Sequence, residues 1–171
     1  MKLIKINKDM FVSSITKNTL DKFAKTFVSK CDMINGWENC FGCVKNKDIM
    51  GAIVVTYTKK EPKCANLQLL HTFAKHRNKG VASFLCKKAF KKAVDDDCKY
   101  FRVSSEIDAV EFYRKIGFKF IGKQKSGTLL SIFKINGYEI KNGIYEGDSY
   151  VLRKSKKKGK GGVVEFFKEI K

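Results

Sequence analysis

The stretch Arg77-Asn78-Lys79-Gly80-Val81-Ala82 constrains this chain more than any other, because it joins an apolar strand-like run (Leu67, Leu69, Leu70) to an amphipathic helix. A backbone turning from strand into helix leaves its first N–H groups without intrahelical partners, and the aligned peptide dipoles put positive potential at the same place. An anionic diphosphate is stabilised there. Gly80 removes the side chain where the backbone must approach phosphate, Ala82 stays small, and Arg77 and Lys79 add charge. The expected cradle is the turn from Asn78 through Gly80, Val81 and Ala82 to Ser83.

Hydrophobic periodicity orders the rest of the chain around that turn. Met1–Ile6 alternates as a strand, and Leu20, Phe23, Ala24, Phe27, Val28 and Cys31 fall on one face of a helix over Asn18–Cys31. Asp32–Glu38 reads as loop. Cys40–Lys45 and Ile49–Lys59 flank the turn residues Asn46-Lys47-Asp48 and form a hairpin, and Pro62 marks the next turn. Strand Asn66–Thr72 leads into the cradle and helix Gly80–Val94 leaves it, closed by Asp95-Asp96-Asp97. Strand Lys99–Ser104, helix Ile107–Ile116 and strands Phe118–Lys123, Leu129–Ile135 and Ser149–Arg153 complete a mixed α/β order.

A second segment gives the order a meaning. Ala109-Val110-Glu111-Phe112-Tyr113-Arg114-Lys115-Ile116-Gly117-Phe118 is a short helix ended by glycine and followed by a strand. Together, in this order and spacing, the two segments resemble the GNAT superfamily of acyl-CoA-dependent N-acyltransferases, over roughly residues 40 to 122. Its phosphate loop is (Q/R)-x-x-G-x-(G/A), and a later A-x-x-x-Y-x-x-x-G-F carries a tyrosine at the sulfur end of the cofactor. The resemblance implies a single α/β domain, a mixed and mostly antiparallel sheet flanked by helices and splayed at the acyl-CoA site. Acetyl-CoA would then be the donor. Its pantetheine arm would lie along Leu69–Phe73, with Leu70, Thr72 and Phe73 offering backbone groups, and Tyr113 would protonate the departing thiolate.

An ammonium must lose a proton before it attacks, so a base is expected among Glu106, His71 and Glu61. Glu106 stands three residues before Ala109, where many family members carry asparagine. His71 lies on the strand beside the cradle, where a histidine among leucines is more often a packed core residue than a base. His76 precedes the cradle arginine and faces phosphate or solvent.

Charge points to the acceptor. The formal net charge is +19, carried by 32 lysines and 4 arginines. Codon bias explains lysine over arginine but not the excess of cations, which asks for an anionic partner. Part of it lies around Lys87–Lys92, and part in a C-terminal run, Arg153, Lys154, Lys156, Lys157, Lys158 and Lys160, that reads as an arm tracking a phosphate backbone. The expected organisation is a domain over residues 1–152 and a basic arm over 153–171, with Val163–Lys171 forming one or two amphipathic helical turns.

The function these features imply is an N-acetyltransferase acting on a nucleic-acid-associated amine, a DNA base or aminoacyl-tRNA. The family branches that acetylate aminoacyl-tRNA, and the phage Mom type that modifies DNA bases, are similar in size and charge. A protein-lysine or small-molecule amine acceptor is the alternative, and a non-catalytic nucleic-acid-binding module on the same scaffold is a third. No stretch of about eighteen apolar residues occurs, so neither a membrane span nor a signal peptide is expected, and the location expected is cytoplasmic. Six cysteines without a secretory signal read as free core thiols; Cys40 and Cys43 lack paired partners for a metal, so no metal is expected. Monomer and homodimer are both compatible with the sequence.

Overall fold

Strand β1 (Lys2–Lys5) opens the computed structural model, as the alternation predicts. The structure describes residues 1–16, 21–59, 63–98, 100–105, 109–123 and 129–134, and the short pairs 138–139, 151–152, 165–166 and 168–169. Two compact units divide the chain: Met1–Thr56 with Leu67–Lys91, and Tyr57–Asn66 with Lys92–Lys171.

In the first unit β1 is followed by a helix that the sequence did not announce, α1 (Lys8–Thr16). Asn7 Oδ1 accepts from the Met10 N–H at 2.9 Å, which satisfies one of the free donors of the first turn. The helix expected over Asn18–Cys31 is α2 (Lys22–Met33), capped by Asp21, whose side chain accepts from the Phe23 N–H. The segment expected as loop continues α2 to Met33 and adds a 3-10 turn over Gly36–Asn39. Strands β2 (Cys40–Lys45) and β3 (Asp48–Tyr57) form the expected hairpin, with Lys45 opposite Asp48. Its two loop residues, Asn46 at φ 50° and Lys47 at φ 65°, have the left-handed backbone that suits a two-residue turn.

Strand β4 (Cys64–Thr72) runs beside β3, and the strands of this unit neighbour one another in the order β1-β2-β3-β4. Gly51 is what lets β3 and β4 close at this point. A Cβ there would lie 2.5 Å from the His71 carbonyl oxygen and 3.2 Å from the Thr72 Cα. Under the sheet Phe11 stacks on Phe27 at 4.6 Å and on Phe73 at 5.2 Å, and Ile6, Cys31, Cys40 and Val54 share that cluster. Such rings contribute area burial and a further ~0.5–1.5 kcal/mol per well-placed pair.

Helix α3 (Val81–Asp95) buries Val81, Leu85, Cys86, Ala89 and Ala93, and leaves Lys87, Lys88, Lys91 and Lys92 exposed. Asp97, at φ 56°, ends it, with the Cys98 N–H donating back to the Ala93 carbonyl. In the second unit β5 (Tyr100–Ser105), α4 (Val110–Lys115), β6 (Lys119–Lys123) and β7 (Leu129–Lys134) follow, the strands ordered β5-β7-β6 and antiparallel.

Two short antiparallel pairs complete this unit: β8 (Tyr138–Glu139) with β11 (Lys168–Glu169), and β9 (Val151–Leu152) with β10 (Glu165–Phe166). This corrects the expectation of helical turns over Val163–Lys171. Valines and phenylalanines in a nine-residue segment favour pairing with an available strand over nucleating a helix, which is marginal at that length. Among the described residues no helix is long and apolar enough to cross a membrane.

Candidate active site

The cradle begins where β4 ends. His76 N–H donates to the Phe73 carbonyl at 2.8 Å and Arg77 N–H to the Ala74 carbonyl at 3.2 Å, so residues 74–76 make one tight turn before the chain reverses. Asn78 at φ 59° and Gly80 at φ 75° then bring the backbone into α3, whose first bond runs from the Phe84 N–H to the Gly80 carbonyl at 2.9 Å. The amides before Phe84 therefore face outward at the positive end of a fifteen-residue helix. A Cβ built on Gly80 meets no described atom within 4 Å, so the space over the turn is open to a ligand.

Around this turn the side chains suit an anion. Arg77 and Lys79 are exposed, and Lys79 is tied to the Lys75 carbonyl at 2.8 Å. Two buried polar atoms, Thr72 Oγ1 and His76 Nε2, have no partner among the described residues. Burial, then the Lys75 and Lys79 charges, push His76 below its ordinary pKa. Open space, free amides, two cations and unspent hydrogen-bonding groups together fit the pyrophosphate end of an acyl-CoA.

The other candidates are placed less simply. Leu70 and Thr72 are half-buried on β4, and the Thr72 carbonyl accepts from Arg77 Nε at 3.4 Å. Phe73, expected to offer its backbone to pantetheine, instead gives its N–H to the Met50 carbonyl at 3.1 Å and buries its ring in the core. The reason is Gly51, which allows β3 close enough to take that donor. Val81 is buried, so only its backbone can serve, while Ala82 and Ser83 are half-buried.

His71 is 7% exposed, packed edge-on against Phe73 at 5.1 Å and near Phe11 and Phe27. Its Nε2 lies 3.2 Å from Asp21 Oδ2, too poorly aligned for a well-formed hydrogen bond. Burial holds its pKa below the ordinary value, opposed by the Asp21 carboxylate and reinforced by Arg77. The sequence reading passed over Asp21. An aspartate directly before an apolar helical run is an N-cap signal, but nothing local says that the same carboxylate takes the Ala74 N–H, 53 residues away, at 2.9 Å.

Tyr113 belongs to the second unit. Its ring is 6% exposed, 5.0 Å from Phe112 and 5.4 Å from Phe118. The expected glycine stop is present, with the Phe118 N–H donating to the Tyr113 carbonyl at 2.9 Å and the Gly117 N–H to the Arg114 carbonyl at 3.0 Å. Glu106, Glu61 and the basic run Arg153, Lys154, Lys156, Lys157, Lys158 and Lys160 lie outside the described residues. Among the described residues no group of three histidine, cysteine or acidic side chains is placed to hold a metal.

Comparison with known proteins agrees with this fold. PaiA N-acetyltransferase from Thermoplasma acidophilum, in complex with coenzyme A, is similar in fold, with a TM-score of 0.61 at 12% identity over 78% of this chain and 98% of that one. A chain of the NatC complex bound to Gag peptide and CoA gives a TM-score of 0.58 at 17% identity, over 80% of this chain and 100% of that one. An acetyltransferase of the GNAT family from Staphylococcus aureus gives 0.56 at 15%, over 78% and 98%. A search of the curated proteins gives no significant match. The model of the Acetyltransferase (GNAT) domain matches residues 11–134, most of the chain, which therefore belongs to the GNAT acetyltransferases and is an N-acyltransferase with acetyl-CoA as cosubstrate.

Proposed function

We propose that this enzyme moves the acetyl group of acetyl-CoA onto an amine of a nucleic-acid-associated acceptor, a DNA base or the amino group of an aminoacyl-tRNA. The pyrophosphate rests on the amides of the turn Asn78–Ser83, with Arg77 and Lys79 adding charge. The amine attacks the thioester carbonyl, the carbon–sulfur bond breaks, and the Tyr113 hydroxyl gives its proton to the leaving thiolate. Glu106 is the base we favour for taking the proton of the attacking ammonium.

The observation that carries the acceptor class is the net charge of +19. A coenzyme uses little of it, and the exposed lysines of α3 continue the positive surface away from the cradle turn. The test is incubation of the purified enzyme with isotopically labelled acetyl-CoA and, separately, duplex DNA, aminoacylated tRNA, protein and polyamines, followed by mass spectrometry. Label in DNA or tRNA is the expected result. Label confined to protein or small amines overturns the acceptor while leaving the reaction in place.

A further inference from the structure

Asp21 is a buried carboxylate with a fully enclosed side chain. Capping a helix does not require this, since an N-cap acid works at the surface. Each oxygen has a long-range or local donor: Oδ1 accepts from the Phe23 N–H at 3.2 Å, and Oδ2 accepts from the Ala74 N–H at 2.9 Å. Arg77 Nη2 stands 3.9 Å from Oδ1. The same guanidinium has its carbon 5.9 Å from the centre of the exposed Phe23 ring and donates through Nε to the Thr72 carbonyl at 3.4 Å. Thus the N-cap of α2 ties down the exit of β4 and sits beside the arginine of the cradle, although 53 residues separate Asp21 from Ala74.

We propose that Asp21 is a positioning residue for acetyl-CoA, fixing the turn Ala74–His76 and the Arg77 guanidinium at the mouth of the pyrophosphate cradle. The inference rests on the acetyl-CoA reading of that cradle. Two effects of the carboxylate oppose each other. As a negative charge near a pyrophosphate it weakens binding; as the anchor of Ala74 and Arg77 it spares the ligand the cost of ordering them. On this proposal the second effect is the larger.

The experiment is Asp21→Asn, which keeps size and an acceptor oxygen but removes the charge, with Asp21→Ser as a second variant that keeps the helix cap and loses the reach to Ala74. Calorimetric Kd for acetyl-CoA, KM, kcat and Tm are measured on the full chain. The expected result is a rise in Kd and KM of about three- to thirty-fold with kcat within about twofold of wild type. In an Arg77→Lys background, which keeps charge but not the three-way seating, Asp21→Asn should add little further loss. Unchanged or tighter binding by either Asp21 variant, or losses that simply multiply, overturns the proposal. Wild-type protein that binds no acetyl-CoA overturns the reading of the cradle as well, so the two failures are distinguishable.

Discussion

Gly80 and Arg77 make the cradle vulnerable in two ways that can be separated from folding. At φ 75° a residue other than glycine costs ~1–2 kcal/mol, but a new side chain there enters open space and displaces no core group. The double variant Arg77→Glu, Gly80→Val should therefore stay folded and lose the rise in Tm that acetyl-CoA gives wild type, a rise worth ~2.7 kcal/mol at a ligand concentration of 100 Kd. A scan with and without ligand reads both. Tyr113→Phe removes only a hydroxyl from a packed ring, so Kd for acetyl-CoA should hold while turnover falls about ten- to a thousand-fold. Unchanged turnover would reduce Tyr113 to packing against Phe112 and Phe118. His71 gives a prediction with a sign. Its folded pKa is depressed, so between that value and the unfolded one the unfolded chain binds the extra proton, and stability is present above the unfolded pKa and lost as pH falls. Stability should therefore hold above the ordinary histidine value of about 6.5 and fall as pH drops below it toward the depressed folded value, read as a fall in Tm. His71→Asn should flatten the slope, leaving the contribution of His76, depressed in the same direction.

At the scale of elements, legibility followed the strength of the local code. The hairpin was readable because Asn46-Lys47-Asp48 stands between two β-branched runs, and α3 because its lysines and apolar residues separate cleanly around the helix. Helix α1 was not, because Met10-Phe11-Val12 is a run of three apolar residues that fits neither period, and only Phe11 of them is buried. Ser13 and Ser14, poor helix formers, are accommodated by donating to the Met10 carbonyl at 2.9 and 3.0 Å. The turn from β4 into α3 was legible because its glycine and the runs on either side lie in one continuous segment. Asp21 was not, because its importance comes from a contact with Ala74 that only the folded chain creates. The use of the Phe73 N–H was not legible for a related reason: which strand takes it depends on Gly51, twenty-two positions earlier.

For the whole molecule the question is where +19 charges are used. If residues 153–160 follow a phosphate backbone, exchanging their lysines for glutamine, which keeps the paired segments 165–166 and 168–169, should weaken DNA and RNA binding roughly equally across sequences. It should also flatten the dependence of log Kd on log salt, with acetyl-CoA affinity unchanged. Titrations at several salt concentrations check this, and binding that is equal without those charges would move the acceptor toward protein or small amines. The thiols lead elsewhere. None of the six cysteines is in a disulfide and all are buried, and burial pushes Cys31 up to about 11 and Cys64 and Cys86 up to about 12. A soluble alkylating reagent thus finds almost no thiolate while the native packing persists. With Cys31 and Cys40 in one unit, and Cys64 and Cys98 in the other, the order in which the six positions acquire label is a clock for how each half of the chain opens.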